Sequence, residues 1–146
     1  MKRNRFSHVM AVVIVGVLAF SLAMYLRNGK QRRTFSFPVI GTEQPVMEVR
    51  YLPKNPVQGE VGIYVDELLL GPQTQRARPL FSPGTKNQFC FLRNKTLYVG
   101  LSEDVLYEIP ESARIMDGIA YFRKNVLRNF RNIKEVELFI DGKYVE

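Results

Sequence analysis

Between Ser112 and Gly142 the apolar residues change their spacing from that of a helix to that of a strand, and this limits the fold more than any other stretch. Ile115, Ile119, Phe122, Val126 and Phe130 recur in steps of three and four, which places them on one stripe of an α-helix. After a turn at Asn129-Phe130-Arg131-Asn132-Ile133, Val136, Leu138 and Ile140 alternate with Glu135, Glu137 and Phe139. That is the period of a strand with one buried face. Asp141-Gly142 then suits a tight turn. The spacing predicts that the apolar stripe of this helix lies on the strand that follows it.

A second stretch places the chain in two environments. Val9 to Leu26 contains no charged residue, Asn, Gln or Pro. As a helix it would span roughly 27 Å, close to the hydrocarbon thickness of a bilayer. The run is apolar all round with basic residues on both sides, which argues against a buried core helix. Lys2-Arg3-Asn4-Arg5 resembles the start of a signal peptide. The apolar run is longer than the usual stretch of about 7 to 15 residues, however, and Ser21 and Ala23 make a poor cleavage site. A retained anchor is therefore expected over a cleaved signal. No Cys lies near the end of the run, so lipid attachment there is not expected. Lys2, Arg3 and Arg5 nearly balance Arg27, Lys30, Arg32 and Arg33, so flank charge does not set the orientation. The short basic tail before a signal-like run places a single-pass span in the cytoplasmic (inner) membrane, with the C-terminal domain outside the cytoplasm.

The net charge of +7 is concentrated at the membrane flanks, since residues 1–45 carry +6 and the rest of the chain only +1. Attraction of juxtamembrane cations to anionic headgroups accounts for it, and no nucleic-acid partner is expected. Phe89, Phe91 and Tyr98 fall on neighbouring strands where they could stack bases, but the RNA-recognition consensus is absent. The single Cys90 excludes an intramolecular disulfide and argues against a thiolate zinc site. Between Phe89 and Phe91 it reads as a small apolar residue. The only His, His8, stands at the membrane edge, away from any folded domain.

Taken in order, the chain reads as a basic tail (1–8), a membrane span (9–26), a tether (27–45) and one folded domain (46–146). The tether mixes basic residues with Gly29, Pro38, Gly41 and Pro45 and shows little periodicity. Val46 to Leu52 suits a strand. Val57, Val61, Tyr64 and Leu68 mark a helix stopped by Leu70-Gly71-Pro72. Leu80-Phe81 is expected to tuck back onto the core. Asn87 to Leu92 and Thr96 to Leu101 suit an antiparallel hairpin around Arg93-Asn94-Lys95. Ser102 to Pro110 reads as an acidic loop. The order strand, helix, strand, strand, helix, strand predicts an α+β domain, with two helices on one face of a three- to four-stranded antiparallel or mixed sheet.

Four pieces in this order resemble the GerMN domain family. They are Leu68-Leu69-Leu70-Gly71-Pro72, Pro83-Gly84-Thr85, Leu97-Tyr98-Val99-Gly100-Leu101-Ser102, and Asn129 to Val136 with Ile140-Asp141-Gly142-Lys143. Gly100 stands where the family usually has an acidic residue, and Phe130-Arg131-Asn132 replaces its common Phe-Pro-Gly turn. The resemblance implies a fold like that of ring-building modules, tethered to a membrane outside the cytoplasm, with no catalytic residue to carry over.

The residues themselves point the same way. Asp66-Glu67 and Glu103-Asp104 are adjacent carboxylates without a pocket or metal ligand, and the chain lacks a phosphate loop or nucleophile elbow. No enzymatic activity, cofactor, metal or small-molecule substrate is expected. Two surfaces suit protein contact. Arg114, Asp117, Tyr121, Lys124, Arg128 and Arg131 follow helical steps opposite the apolar stripe, a basic ridge that could meet Glu103, Asp104 and Glu108 of an adjacent copy. If Leu97, Val99, Leu101, Val136, Leu138 and Ile140 face the helices, Tyr98 and Phe139 lie on the far face of the sheet. Self-assembly into a ring or envelope complex is one expectation, and a monomeric module that binds envelope polymer or a partner protein is the other.

Overall fold

The computed structural model describes residues 2–27, 29–107 and 112–145. Helix α1 (Lys2–Arg27) exposes its apolar side chains from Val9 to Leu26 all round and is long and apolar enough to cross a membrane. The folded part follows as β1 (Lys30–Val39), β2 (Thr42–Pro53), α2 (Gly59–Leu69), β3 (Asn87–Arg93), β4 (Thr96–Leu101), a 3-10 turn (Glu103–Leu106), α3 (Ser112–Asn129), β5 (Glu135–Ile140) and β6 (Lys143–Val145). β1 and β2 form an antiparallel hairpin, and the other strands form a mixed sheet in the order β3-β4-β5-β6 with β4 and β5 parallel. Both helices bridge the two sheets, α2 meeting β2 and β3 and α3 meeting β1 and β5.

The stripe of α3 lies where its spacing places it. Ile119, Phe122 and Val126 are buried, as are Val136, Leu138 and Ile140 of β5, while Lys124 and Arg128 are exposed. Gly118 lets α3 come close to the preceding loop, since a Cβ there would overlap the Leu80 carbonyl oxygen. Leu80 and Phe81 tuck into the core as their composition suggests, and Phe81 lies 6.1 Å from Phe122. Asn94 and Lys95 turn β3 into β4 with positive φ, and Asp141-Gly142 turns β5 into β6 in the same way. Gly71, at φ +85°, ends α2.

Two expectations need correction. Residues 27–45 are not a tether, because β1 fills most of that range and buries Phe35 and Phe37 completely. The inward residues of β1 are Gln31, Arg33, Phe35 and Phe37, so cation and amide at alternate positions hide the period from a hydropathy reading. Arg33 can face inward because its guanidinium lies 4.3 Å from the Phe130 ring and donates to the Asn129 carbonyl at 2.8 Å. Nor is there one sheet under two helices. The hairpin is a second sheet, and its β2 turns Glu48 and Arg50 into the interior as an ion pair at 2.9 Å.

Asparagines dock α3 onto β1. Asn125, 1% exposed, accepts from the Ser36 amide at 2.7 Å and donates to the Ser36 carbonyl at 2.8 Å. One turn later Asn129 repeats the pattern on Thr34, at 3.0 Å and 2.7 Å. Thr34 and Ser36 are alternate residues, so their amides and carbonyls point to the same edge of β1, and the side-chain amides take the place of a neighbouring strand. Tyr64 closes the network by donating to the Thr34 carbonyl at 2.9 Å while its ring stacks on Phe35 at 4.6 Å.

Candidate interaction surface

The face of the four-stranded sheet away from the helices carries a continuous set of aromatic rings. Alternation puts Phe89 and Phe91 of β3, Tyr98 of β4, Phe139 of β5 and Tyr144 of β6 on that side. Phe91 stacks on Tyr98 at 5.1 Å, and Phe89 sits 5.8 Å from Phe91 and 5.9 Å from Phe139. Phe139 in turn meets Tyr98 at 6.5 Å and Tyr144 at 5.6 Å. The set crosses all four strands, and no described element lies over it. Phe91 is 52% exposed and Tyr144 53%, whereas Tyr98 and Phe139 in the middle are half-buried by their neighbours.

Gly100 is what lets Phe89 lie across the centre of the sheet. Phe89 pairs with Gly100, and a Cβ on Gly100 would overlap the Phe89 ring. A side chain at position 100 would therefore push that ring outward. At one end of the face Arg93, Thr96 and Glu135 form a row across β3, β4 and β5, so a cation and an anion flank the central strand. Thr96 donates to Glu135 at 3.4 Å.

The basic ridge of α3 is less continuous than its spacing suggests. Lys124, Arg128 and Arg131 are exposed, and Arg128 reaches the Met47 sulfur at 3.5 Å. Tyr121 instead packs against the core. The Arg114 side chain and Glu108 lie outside the described residues. The acidic loop is engaged locally. Asp104 accepts from the Ser102 hydroxyl at 2.7 Å, and Ser102 accepts from the Lys86 amide. Glu103 hydrogen-bonds the exposed Tyr107 and raises its phenol pKa above the ordinary value.

Tyr98 and Phe139 were legible from period 2. Phe89, Phe91 and Tyr144 complete the face, and the registers of β3 with β4 and of β5 with β6 are the signal that places them there. Cys90 lies on the opposite, core side, where burial raises its thiol pKa to about 11, in keeping with an unreactive apolar residue. A shallow depression of about 580 Å³ beside Leu70, Pro72, Thr74, Pro79 and Lys86 brings no acid and base together. Among the described residues no three His, Cys, Asp or Glu side chains converge as metal ligands would.

The family model for the Germane domain, described as sporulation and spore germination, matches residues 25–146. An uncharacterised lipoprotein of Treponema pallidum (strain Nichols) is 31% identical over 85 residues, covering 58% of this chain and 63% of that protein. The tandem GerMN domains of the sporulation protein GerM from Bacillus subtilis share the fold with a TM-score of 0.60 at 13% identity, over 79% of this chain and 40% of that one. The crystal structure of a candidate lipoprotein from Clostridium perfringens aligns with a TM-score of 0.50 at 15% identity, over 80% of this chain and 78% of that one.

Proposed function

The chain belongs to the Germane family of sporulation and spore-germination domains, and from that premise we propose that it is a non-enzymatic GerMN-type domain, held by α1 at a membrane, that works outside the cytoplasm by protein contact through the open face of its four-stranded sheet. The observation that carries this reading is the aromatic set spanning all four strands with no described element over it. Contiguous exposed apolar patches of this kind are often contact sites. A second copy fits. A two-fold axis along β4 would set Arg93 of each copy against Glu135 of the other and Phe89 against Phe139.

The size of the face predicts a weak contact. Four strands about 4.8 Å apart and some five residues long offer roughly 300 Å² per copy, well under the roughly 800 Å² per partner of a stable complex. Confinement to one membrane raises the effective concentration and makes such a contact productive. An isologous pair closes on itself, so growth into a ring or larger envelope assembly would take a second contact, for which the exposed cations of α3 are available.

Gly100→Glu tests the face without touching the core, because the group it meets is the swinging ring of Phe89. In membranes the full-length variant should keep its circular dichroism and thermal midpoint within a few degrees, and lose most of the chemically cross-linked dimer given by the wild type. Unchanged cross-linking would remove the face. A wild-type chain that is monomeric in membranes would instead favour a module binding envelope polymer or a different protein.

A further inference from the structure

The junction between the membrane helix and the domain is very short. α1 ends at Arg27 and β1 begins at Lys30, so the two Cα atoms lie at most about 11 Å apart whatever the angle between helix and domain. The far end of the hairpin comes to the same place. The Lys54 amide donates to the Gly29 carbonyl at 2.9 Å, and the Lys54 side chain folds to within 3.2 Å of where a Cβ on Gly29 would be.

Pairing of Lys30 with Pro53 and of Arg32 with Tyr51 puts Lys30, Arg32 and Tyr51 on the outer face of the hairpin, opposite Arg33 and Arg50. Val49 and Met47 continue that face along β2, and Arg128 of α3 reaches Met47. Lys30, Arg32 and Lys54 are exposed and Tyr51 is 64% exposed. Among the described residues the ion pairs belong to the inward Arg33 and Arg50, so these outer cations have no carboxylate partner. Cations around an exposed Tyr and short apolar side chains suit a headgroup layer, where amphipathic rings settle and anionic phosphates attract Lys and Arg.

We propose that the outer face of the β1–β2 hairpin, through Lys30, Arg32 and Tyr51, together with Lys54 at the hairpin's open end beside Gly29, is a docking surface for anionic lipid headgroups that holds the domain against the bilayer entered by its own helix. The proposal rests on α1 being a retained anchor. Because the chain keeps this face near the membrane, lipid is the partner always within reach. Docking fixes the domain's tilt and so limits which of its other faces neighbouring copies can meet.

The test is lysine footprinting of the full-length chain in nanodiscs of phosphatidylcholine, with or without phosphatidylglycerol, using an acetylating reagent and peptide mass spectrometry. Lys86, Lys95 and Lys134, all exposed, serve as internal references. Phosphatidylglycerol should slow acetylation of Lys30 and Lys54 at least about fivefold relative to those references, the factor expected for a cation drawn to an anionic surface. Arg32→Glu combined with Tyr51→Ser should restore the rate seen in phosphatidylcholine. With α1 present by intact mass, equal labelling in the two lipids overturns the docking face, as does protection that ignores headgroup charge. A chain whose mass shows that α1 has been removed overturns the anchored reading instead.

Discussion

Replacing Asn125 with leucine is expected to destabilise the folded domain by about 2–5 kcal/mol, although leucine is close in size and a better helix former. The side chain is fully enclosed, and its amide supplies both hydrogen bonds to Ser36 on the edge of β1. Leucine would leave the Ser36 amide and carbonyl buried without partners, and each costs about 1–3 kcal/mol, against a propensity gain of well under 1 kcal/mol. Asn129→Leu should cost less, since Thr34 and Asn129 are only half-buried and water can replace part of the lost bonding. Urea unfolding of both variants in detergent checks the order. A neutral Asn125→Leu would mean that the bonds of Asn125 to Ser36 contribute nothing net to holding β1.

Arg50→Leu should cost about 3–5 kcal/mol, a fall in thermal midpoint of roughly 15 °C or more, because it strands a buried carboxylate. Arg50 pairs with Glu48 at 2.9 Å and Glu67 at 3.2 Å, donates to the Gly71 carbonyl at 2.6 Å, and lies 4.8 Å over the Phe35 ring. It ties the hairpin to the end of α2. Burial alone would raise the pKa of Glu48, but hydrogen bonds from Arg50 and from the Gln73 and Thr74 amides, with the Arg50 charge, outweigh it and hold the carboxyl below its ordinary 4.5. With the folded value below the unfolded one, the stabilisation is complete above about pH 4.5 and is lost as the pH falls through the folded value. Melting curves should therefore show the gap between Arg50→Leu and wild type narrowing below that pH. Glu48→Leu combined with Arg50→Leu should recover part of the loss, because no lone charge remains.

These two residues also mark where sequence reading stops. Periodicity located α3, β5, the β3–β4 hairpin and the end of α2, because in each the apolar residues keep a regular spacing and Gly, Asn or Asp closes the element. It missed β1 for a physical reason. Two of its inward positions are Gln31 and Arg33; the guanidinium that bonds Gln31 is held by the Asn129 carbonyl 96 residues away, and such a partner has no local signal. Glu48 and Arg50 fall on one side of β2 by alternation, yet nothing in the strand says that the charged side is the buried one. Asn125 sits on the apolar stripe of α3 between Phe122 and Val126, a polar residue at a core position, and that is the one hint available. Of the interaction face, Tyr98 and Phe139 followed from alternation in β4 and β5. The role of Gly100 depends on the ring of Phe89 crossing the neighbouring strand, a contact that has no signature in either strand alone.

The central claim is that copies of this domain meet through the open sheet while held in one membrane. With Cys90→Ser removing the native thiol, Tyr98→Cys places a single cysteine on the β4 axis, and Lys124→Cys places one on the exposed side of α3. In native membranes treated with a short bismaleimide cross-linker, which can span the roughly 10 Å between sheets packed face to face, a covalently linked dimer should form at position 98 much faster than at position 124. Equal rates at the two positions, or faster linkage at 124, would contradict that claim.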